Sequence, residues 1–265
     1  MPMRSTVTKP MHHVVLALLL LVHASGAIAQ GASGRRSGFD DMGSATQAMQ
    51  RDDAQNPAML WAQDGAALWD RPAGASSKAC STCHGAAASS MRGVATRYPA
   101  FDQTGGRAVN LAQRINLCVQ NHQQALPLAL ESQALLALET HVARQSRGLP
   151  IAPPSDPRLE PALRLGQALF STRFGQLNLS CAQCHDERAG QRLGGNTIVQ
   201  GHATGYPLYR LEWQSLGSLQ RRLRNCMTGV RAEPYAYGAP EFVALEVFLA
   251  ARSAGMPLET PAVRP

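Results

Sequence analysis

Apolar residues recur at helical spacing in two places along the chain. Ala108, Leu111, Ile115 and Cys118 step by three and four, and Leu216, Leu219, Leu223 and Cys226 repeat that stepping. A further helix is predicted after each stripe, around Glu131 to Arg147 and Glu241 to Ala254. Asn56-Pro57 and Asp156-Pro157 each read as a helix start, a cap followed by proline. No strand-like alternation of any length interrupts this pattern, so the predicted class is all-α. Two segments stand apart. Arg4 and Lys9 precede an apolar stretch from Val14 to Val22, and Ala27-Ile28-Ala29 supplies a small-x-small cleavage pattern, so residues 1–29 read as a secretory signal peptide. The stretch is too short for a membrane anchor. Gly31 to Gln55 is small, polar and charged without periodicity, and residues 30–55 are expected to be an extended arm, a tether or a segment lying on a partner.

The rest of the chain is written twice. Gly65 stands 15 residues before Cys80, and Gly166 stands 15 before Cys181. Ala67-Leu68-Trp69 matches Ala168-Leu169-Phe170, and Cys80-Ser-Thr-Cys83-His84 matches Cys181-Ala-Gln-Cys184-His185. Tyr98-Pro99 lies 20 residues before Cys118, and Tyr206-Pro207 lies 20 before Cys226. Leu138-Glu139 matches Leu245-Glu246, and Gly148-Leu149-Pro150 matches Gly255-Met256-Pro257. The pattern predicts two tandem domains of ordinary small size, residues 56–152 and 153–265 with a short C-terminal tail. The second carries seven extra residues between its CxxCH histidine and its Tyr-Pro. Pro150 to Pro157, with four prolines in eight residues, reads as a stiff linker.

Composition narrows the class. The 265 residues are 45% hydrophobic and 16% charged, which suits a folded core and excludes a disordered or fibrous chain. No apolar run is long enough to span a bilayer. The formal charge of +7 includes Arg4 and Lys9 of the leader, and after the leader every basic residue but Lys78 is arginine. An exported protein meets an oxidising compartment, the periplasm, so each of the six cysteines needs a use.

CxxCH is the attachment signature of c-type haem: two thiols add to the vinyl groups and the histidine reaches the iron from the same side. Two such motifs, Cys80, Cys83, His84 and Cys181, Cys184, His185, at matching places of a repeat predict two covalently attached haem c groups. Zinc would need closing ligands that neither half supplies, and a redox dithiol would need a βαβ context. Two buried porphyrins also account for an aromatic content of only 5%. The second axial position is usually methionine. Here the residue that repeats is cysteine, Cys118 and Cys226. Three readings stand: both ligate iron as thiolates, opposite His84 and His185; they join in a disulfide; or they are buried inert thiols. Met227, Met256 and His122 face Val119, Leu149 and Val230 at the matching places, so none of them repeats. Thiolate ligation holds the reduction potential low and suits chemistry at sulfur. Arg210, Arg221, Arg222, Arg224 and Arg231 all fall within 16 residues of Cys226. They form either a solvated basic face or an oxyanion site. No aromatic stacking pattern accompanies them, so no nucleic-acid role is expected.

The paired CxxCH motifs, Tyr206-Pro207, the Arg222-x-x-x-Cys226 segment followed by Met227, and Gly255-Met256-Pro257 resemble SoxA, the dihaem form of that subunit in the thiosulfate-oxidising SoxAX cytochromes. The resemblance covers about Asn56 to Pro257. It implies a heterodimer with a monohaem SoxX cytochrome, and oxidative coupling of thiosulfate to a cysteine on the carrier SoxYZ to give a cysteine S-thiosulfonate. It further implies that the second-domain haem is the active one, that Cys226 is its ligand and is often a persulfide, and that Arg222 assists the anion. Many relatives lack the first haem and carry a disulfide there; this sequence keeps Cys80-x-x-Cys83-His84, so both haems are expected. A plain dihaem electron carrier, a dihaem peroxidase and a sulfur-binding subunit are the competing functions, and the first two leave the repeated cysteines without a use.

Overall fold

The computed structural model describes residues 1–3 and 34–265, so the predicted signal peptide lies almost wholly outside the described residues. Met1–Arg35 and Arg36–Pro265 are separate units; everything below concerns the second.

Helix α1 (Ser44–Arg51) falls inside the stretch expected to be extended. Its buried Gln50 accepts a hydrogen bond from the Val263 amide at 3.0 Å, so the segment is anchored on the far end of its own chain. A polar contact at Gln50 and an apolar contact at Met49 hold it, and so few positions leave no apolar stripe in the sequence.

The first half runs through α2 (Ala58–Trp69), α3 (Cys80–His84), α4 (Ala87–Ser90), a hairpin of β1 (Ala100–Asp102) and β2 (Arg107–Val109), α5 (Leu111–Asn121) and α6 (Gln133–Arg144). The second half repeats that order with α7 (Glu160–Ser171), α8 (Cys181–His185), an inserted hairpin of β3 (Arg192–Leu193) and β4 (Asn196–Thr197), a hairpin of β5 (Leu208–Arg210) and β6 (Ser215–Gly217), α9 (Leu219–Gly229) and α10 (Pro240–Arg252). A last strand, β7 (Ala262–Arg264), pairs parallel with β5 in the register Tyr209 to Val263. The fold is therefore mostly helical with short strands, which corrects the all-α expectation. Strands of three residues are too short to display alternation. Ala108 and Leu216, counted on the helical stripes, lie in β2 and β6. The helices begin after Asn110, whose side chain accepts from the Gln113 amide at 2.9 Å, and after Ser218, which accepts from the Arg221 amide at 3.2 Å.

The repeated glycines mark helix crossings. A Cβ on Gly65 would stand 2.1 Å from the Ala137 carbonyl oxygen, and one on Gly166 would stand 2.0 Å from that of Ala244. Only glycine lets α2 meet α6, and α7 meet α10, this closely. The repeated Gly-x-Pro segments meet each other across the middle of the molecule: the Ile151 amide donates to the Met256 carbonyl at 2.8 Å, and the Leu258 amide to the Leu149 carbonyl at 2.9 Å. A shared cluster of Ala58, Leu136, Tyr209, Leu216 and Val263, flanked by Trp61 and Met49, gives the two halves a common core. Among the described residues no helix is long and apolar enough to cross a membrane.

Candidate functional site

Each CxxCH motif is one short helix. Ser180 opens α8 with reciprocal bonds: its hydroxyl accepts from the Gln183 amide at 3.3 Å, and the Gln183 side chain accepts from the Ser180 amide at 3.0 Å. In α3 the Thr82 hydroxyl accepts from the Ala79 amide at 3.0 Å. The helical turn sets the two cysteines three apart on one side. An aromatic ring backs each histidine: Trp69 lies 5.8 Å from His84, and Phe170 lies 6.4 Å from His185. His141 and Phe248 complete the equivalent sets at 5.9 and 5.1 Å from those rings.

The histidines differ in what holds them. His185 Nδ1 donates to the Val199 carbonyl at 2.7 Å, which orients the imidazole and turns Nε2 away from that carbonyl. Gly201, at φ +71°, lies so close that a Cβ there would be 3.2 Å from the His185 Cβ and Cγ. Both residues belong to the longer loop of the second half. Among the described residues His84 has no corresponding carbonyl bond.

The late cysteines sit beside their own motifs. Burial pushes the Cys80 thiol up, and the nearby Cys118 adds to it. Burial pushes Cys181 up to about 11, with Cys226 the next contributor. Each late cysteine thus lies with the motif of its own half, and no disulfide joins Cys118 to Cys226 in this structure. Of the other distal candidates, Met227 packs in the apolar cluster with Cys181, Phe170 and Leu223; Met256 is buried at the seam between the halves; His122 is exposed at the end of α5. The lining of the second site, Phe170, Leu219, Leu223, Phe242 and Leu245, is apolar, as is that of the first, with Trp69, Leu111, Ile115 and Val142. Among the described residues no three His, Cys, Asp or Glu side chains gather as they would around a bare metal ion. Paired thiols, one imidazole and one further thiol against an apolar wall are the donor set that suits haem c, whose macrocycle brings the remaining ligands.

Cys118 and Cys226 are electrically unlike. Burial raises the Cys118 thiol and the Arg114 charge only partly offsets that. Burial also acts upward on Cys226, yet its hydrogen bond with His185 and the charges of Arg222, His185 and Arg210 outweigh it, and the thiol lies below its ordinary value. The basic cluster divides on inspection. Arg221 stacks on Trp213 at 4.3 Å and donates to the Ser215 hydroxyl at 3.1 Å. Arg224 donates to the Tyr235 carbonyl and stacks on Tyr237 at 4.8 Å. Arg231 adopts φ +58° in the turn that packs on Gly175. Arg222 makes no ion pair or ring contact among the described residues, and its charge falls on Cys226 and Tyr206.

The family model for the SoxA/TsdA cytochrome c domain matches residues 64–151 and matches again over residues 165–258. The chain belongs to this family. It is 35% identical over 229 residues to the L-cysteine S-thiosulfotransferase subunit SoxA of Rhodovulum sulfidophilum, spanning 86% of this chain and 80% of that protein. The SoxA subunit of Pseudaminobacter salicylatoxidans is 36% identical over 220 residues, 83% of this chain and 77% of that protein. Among solved structures, SoxXA from P. pantotrophus matches with a TM-score of 0.84 and 30% identity over 87% of both chains.

Within this SoxA/TsdA fold, sequence reasoning missed Val199 and Gly201. A backbone carbonyl has no residue signature, and the extra length of that loop was the one available signal. It also missed Asp102, whose carboxylate takes the Arg114 guanidinium at 2.8 Å.

Proposed function

We propose that this chain is the SoxA-type subunit that couples thiosulfate oxidatively to a cysteine of a carrier protein, with the chemistry at Cys226. The observation that carries the reading is the Arg222 guanidinium, one helical turn before Cys226 on α9 and without an ion pair or ring contact among the described residues, with its charge falling on that sulfur. Cys80 and Cys83, and Cys181 and Cys184, are the attachment thiols of two haem c groups. His84 with Cys118, and His185 with Cys226, would hold the two irons. Bound haem supplies a one-electron acceptor and a ferric centre that keeps a ligating sulfur in its thiolate form. A SoxX-type monohaem cytochrome is the partner, a SoxYZ-type carrier the acceptor, and the periplasm the compartment. The likeness to SoxXA supports the SoxX-type partner, and the relatives' name, L-cysteine S-thiosulfotransferase, supports transfer to a cysteine. The carrier and the compartment rest on the resemblance and on the signal-peptide reading.

The overall reaction joins the outer sulfur of thiosulfate to the carrier thiol. One S–S bond forms, the thiol loses its proton, and two electrons are released, for which bound haem would supply the one-electron acceptor. Arg222, one helical turn before Cys226, pairs with the dianion and offsets its charge. The Cys226 sulfur meets the outer sulfur of the anion, and the apolar wall of Leu219 and Leu223 keeps water from that side. Arg221 and Arg224 hold the surrounding backbone in place.

The test uses the haem-loaded complex with its monohaem partner, a carrier protein and thiosulfate. A thiosulfonate adduct on the carrier cysteine, with two electrons released per adduct, is expected by mass spectrometry and acceptor reduction. Arg222→Ala is expected to lower kcat/KM about 100-fold. Electron paramagnetic resonance of the oxidised protein is expected to give two low-spin signals of histidine/thiolate type. Histidine/methionine signals from both centres would remove the reading and leave an electron carrier.

A further inference from the structure

The two halves carry the same hairpin and helix around their late cysteines. Tyr98, Asn110, Arg114 and Cys118 correspond in constant register to Tyr206, Ser218, Arg222 and Cys226. In that register the third residue of β1, Asp102, corresponds to the third residue of β5, Arg210. One backbone position thus carries opposite charge in the two halves.

The consequence for the neighbouring arginine is direct. In the first half Asp102 is buried, accepts from Arg114 at 2.8 Å and from the Gly105 amide at 2.7 Å. Arg114 is further engaged by the Tyr98 hydroxyl. The guanidinium beside Cys118 is therefore neutralised from within the fold. In the second half no carboxylate stands there. Arg210 is held in the middle strand of the sheet, opposite Ser215 on one side and Arg264 on the other, and its side chain is only 11% exposed. Among the described residues its one ion pair is with Glu212 at 2.8 Å, and Glu212 is 61% exposed, where water screens it. The Arg210 charge reaches Cys226 and Tyr206 together with that of Arg222. Arg264, next to it, is occupied by Glu259 and Gln50.

We propose that Arg210 is a specificity-determining residue: with Arg222 it makes the Cys226 side a site for a dianionic sulfur oxyanion, while Asp102 at the equivalent place closes the Cys118 side to anions. This rests on the function proposed above and names what confines that function to one half. Arg210 acts through charge on capture of the anion and takes no part in bond making. Its removal therefore moves KM more than kcat.

The experiment compares wild type, Arg210→Gln and Arg210→Lys as the haem-loaded complex. It measures thiosulfate KM and kcat at several ionic strengths, the equilibrium binding of thiosulfate by calorimetry, and the low-spin resonance signals. Arg210→Gln is expected to raise KM and the dissociation constant about tenfold, with kcat within about threefold, and to flatten the salt dependence. Arg210→Lys is expected to restore most of the affinity, with the resonance signals unchanged in both variants. Unchanged KM and salt dependence in Arg210→Gln would overturn the inference. So would a folded Arg210→Lys protein as impaired as Arg210→Gln, since charge would then not be what matters. A wild type that binds thiosulfate in an Arg210-dependent way but never modifies the carrier would instead sink the coupling function and leave the anion site standing.

Discussion

At the scale of single residues, the two histidines that share a motif differ in what lies behind them. His185 is locked by the Val199 carbonyl and by Gly201, and Gly201 is where that lock is most exposed to change. A side chain there meets both a left-handed φ of +71° and the imidazole itself. Gly201→Ala is expected to destabilise the protein by about 1–2 kcal/mol. It should also shift the resonance signal of the second centre while the first stays as in wild type. Guanidinium unfolding and electron paramagnetic resonance check this; a shift in both signals, or in neither, would show that Gly201 does not position His185. The same residues mark what was legible. The CxxCH cysteines, Cys118, Cys226 and Arg222 carry their chemistry in side chains at repeating places. Val199 acts through a backbone carbonyl, and any residue but for its neighbours would provide that.

At the scale of elements, the helices were readable and the strands were not. Helices α5 and α9 have apolar stripes of about two turns, whereas β1, β2, β5 and β6 have three residues each, and their pairing is fixed by a hairpin rather than by alternation. The repeated glycines were visible in sequence as a match between halves, but their reason is a crossing of helices. At Gly166 the backbone of α10 fills the place of a Cβ, with the Ala244 carbonyl oxygen 2.0 Å and the Phe248 Cβ 2.9 Å away. Neither is the far end of a flexible side chain, so α7 and α10 must separate to admit a methyl group. Gly166→Ala is therefore expected to cost about 3 kcal/mol, against less than about 0.5 for Gln167→Ala at the neighbouring exposed position. Denaturant midpoints of the two variants decide it. Equal midpoints would mean that the crossing adjusts freely.

At the scale of the whole molecule, two half-sites share one seam, and the seam holds charge that a core normally excludes. Glu139 on α6 and Glu246 on α10 are the matching residues of the Leu-Glu repeat. Both line a cavity of about 110 Å³ between the halves, with Glu131, Tyr237 and Gln220. One oxygen of each of Glu131, Glu139 and Glu246 has no hydrogen-bond partner. Burial pushes Glu139 up to about 8, with Glu246 and Glu131 adding to it. Burial likewise pushes Glu246 up to about 7, with the polar side chains of Asn110 and Gln220 acting in the other direction. Both folded-state values lie above the ordinary 4.5, so between about pH 4.5 and 8 the folded protein binds more protons than the unfolded chain. Their contribution to stability is thus fully present below about pH 4.5 and is lost as pH rises through the folded values. Half-buried His141 on α6 is lowered by desolvation and works in the opposite sense, so the total pH profile mixes the two. A difference between variants separates them. Glu139→Gln keeps the shape of the side chain and removes its ionisation. Its guanidinium midpoint relative to wild type is expected to rise steadily from pH 5 to pH 8 and then to level off. A difference that stays flat across that range would mean that Glu139 is already ionised in the folded protein at pH 5, and would overturn the effect argued from its burial and unpartnered oxygen.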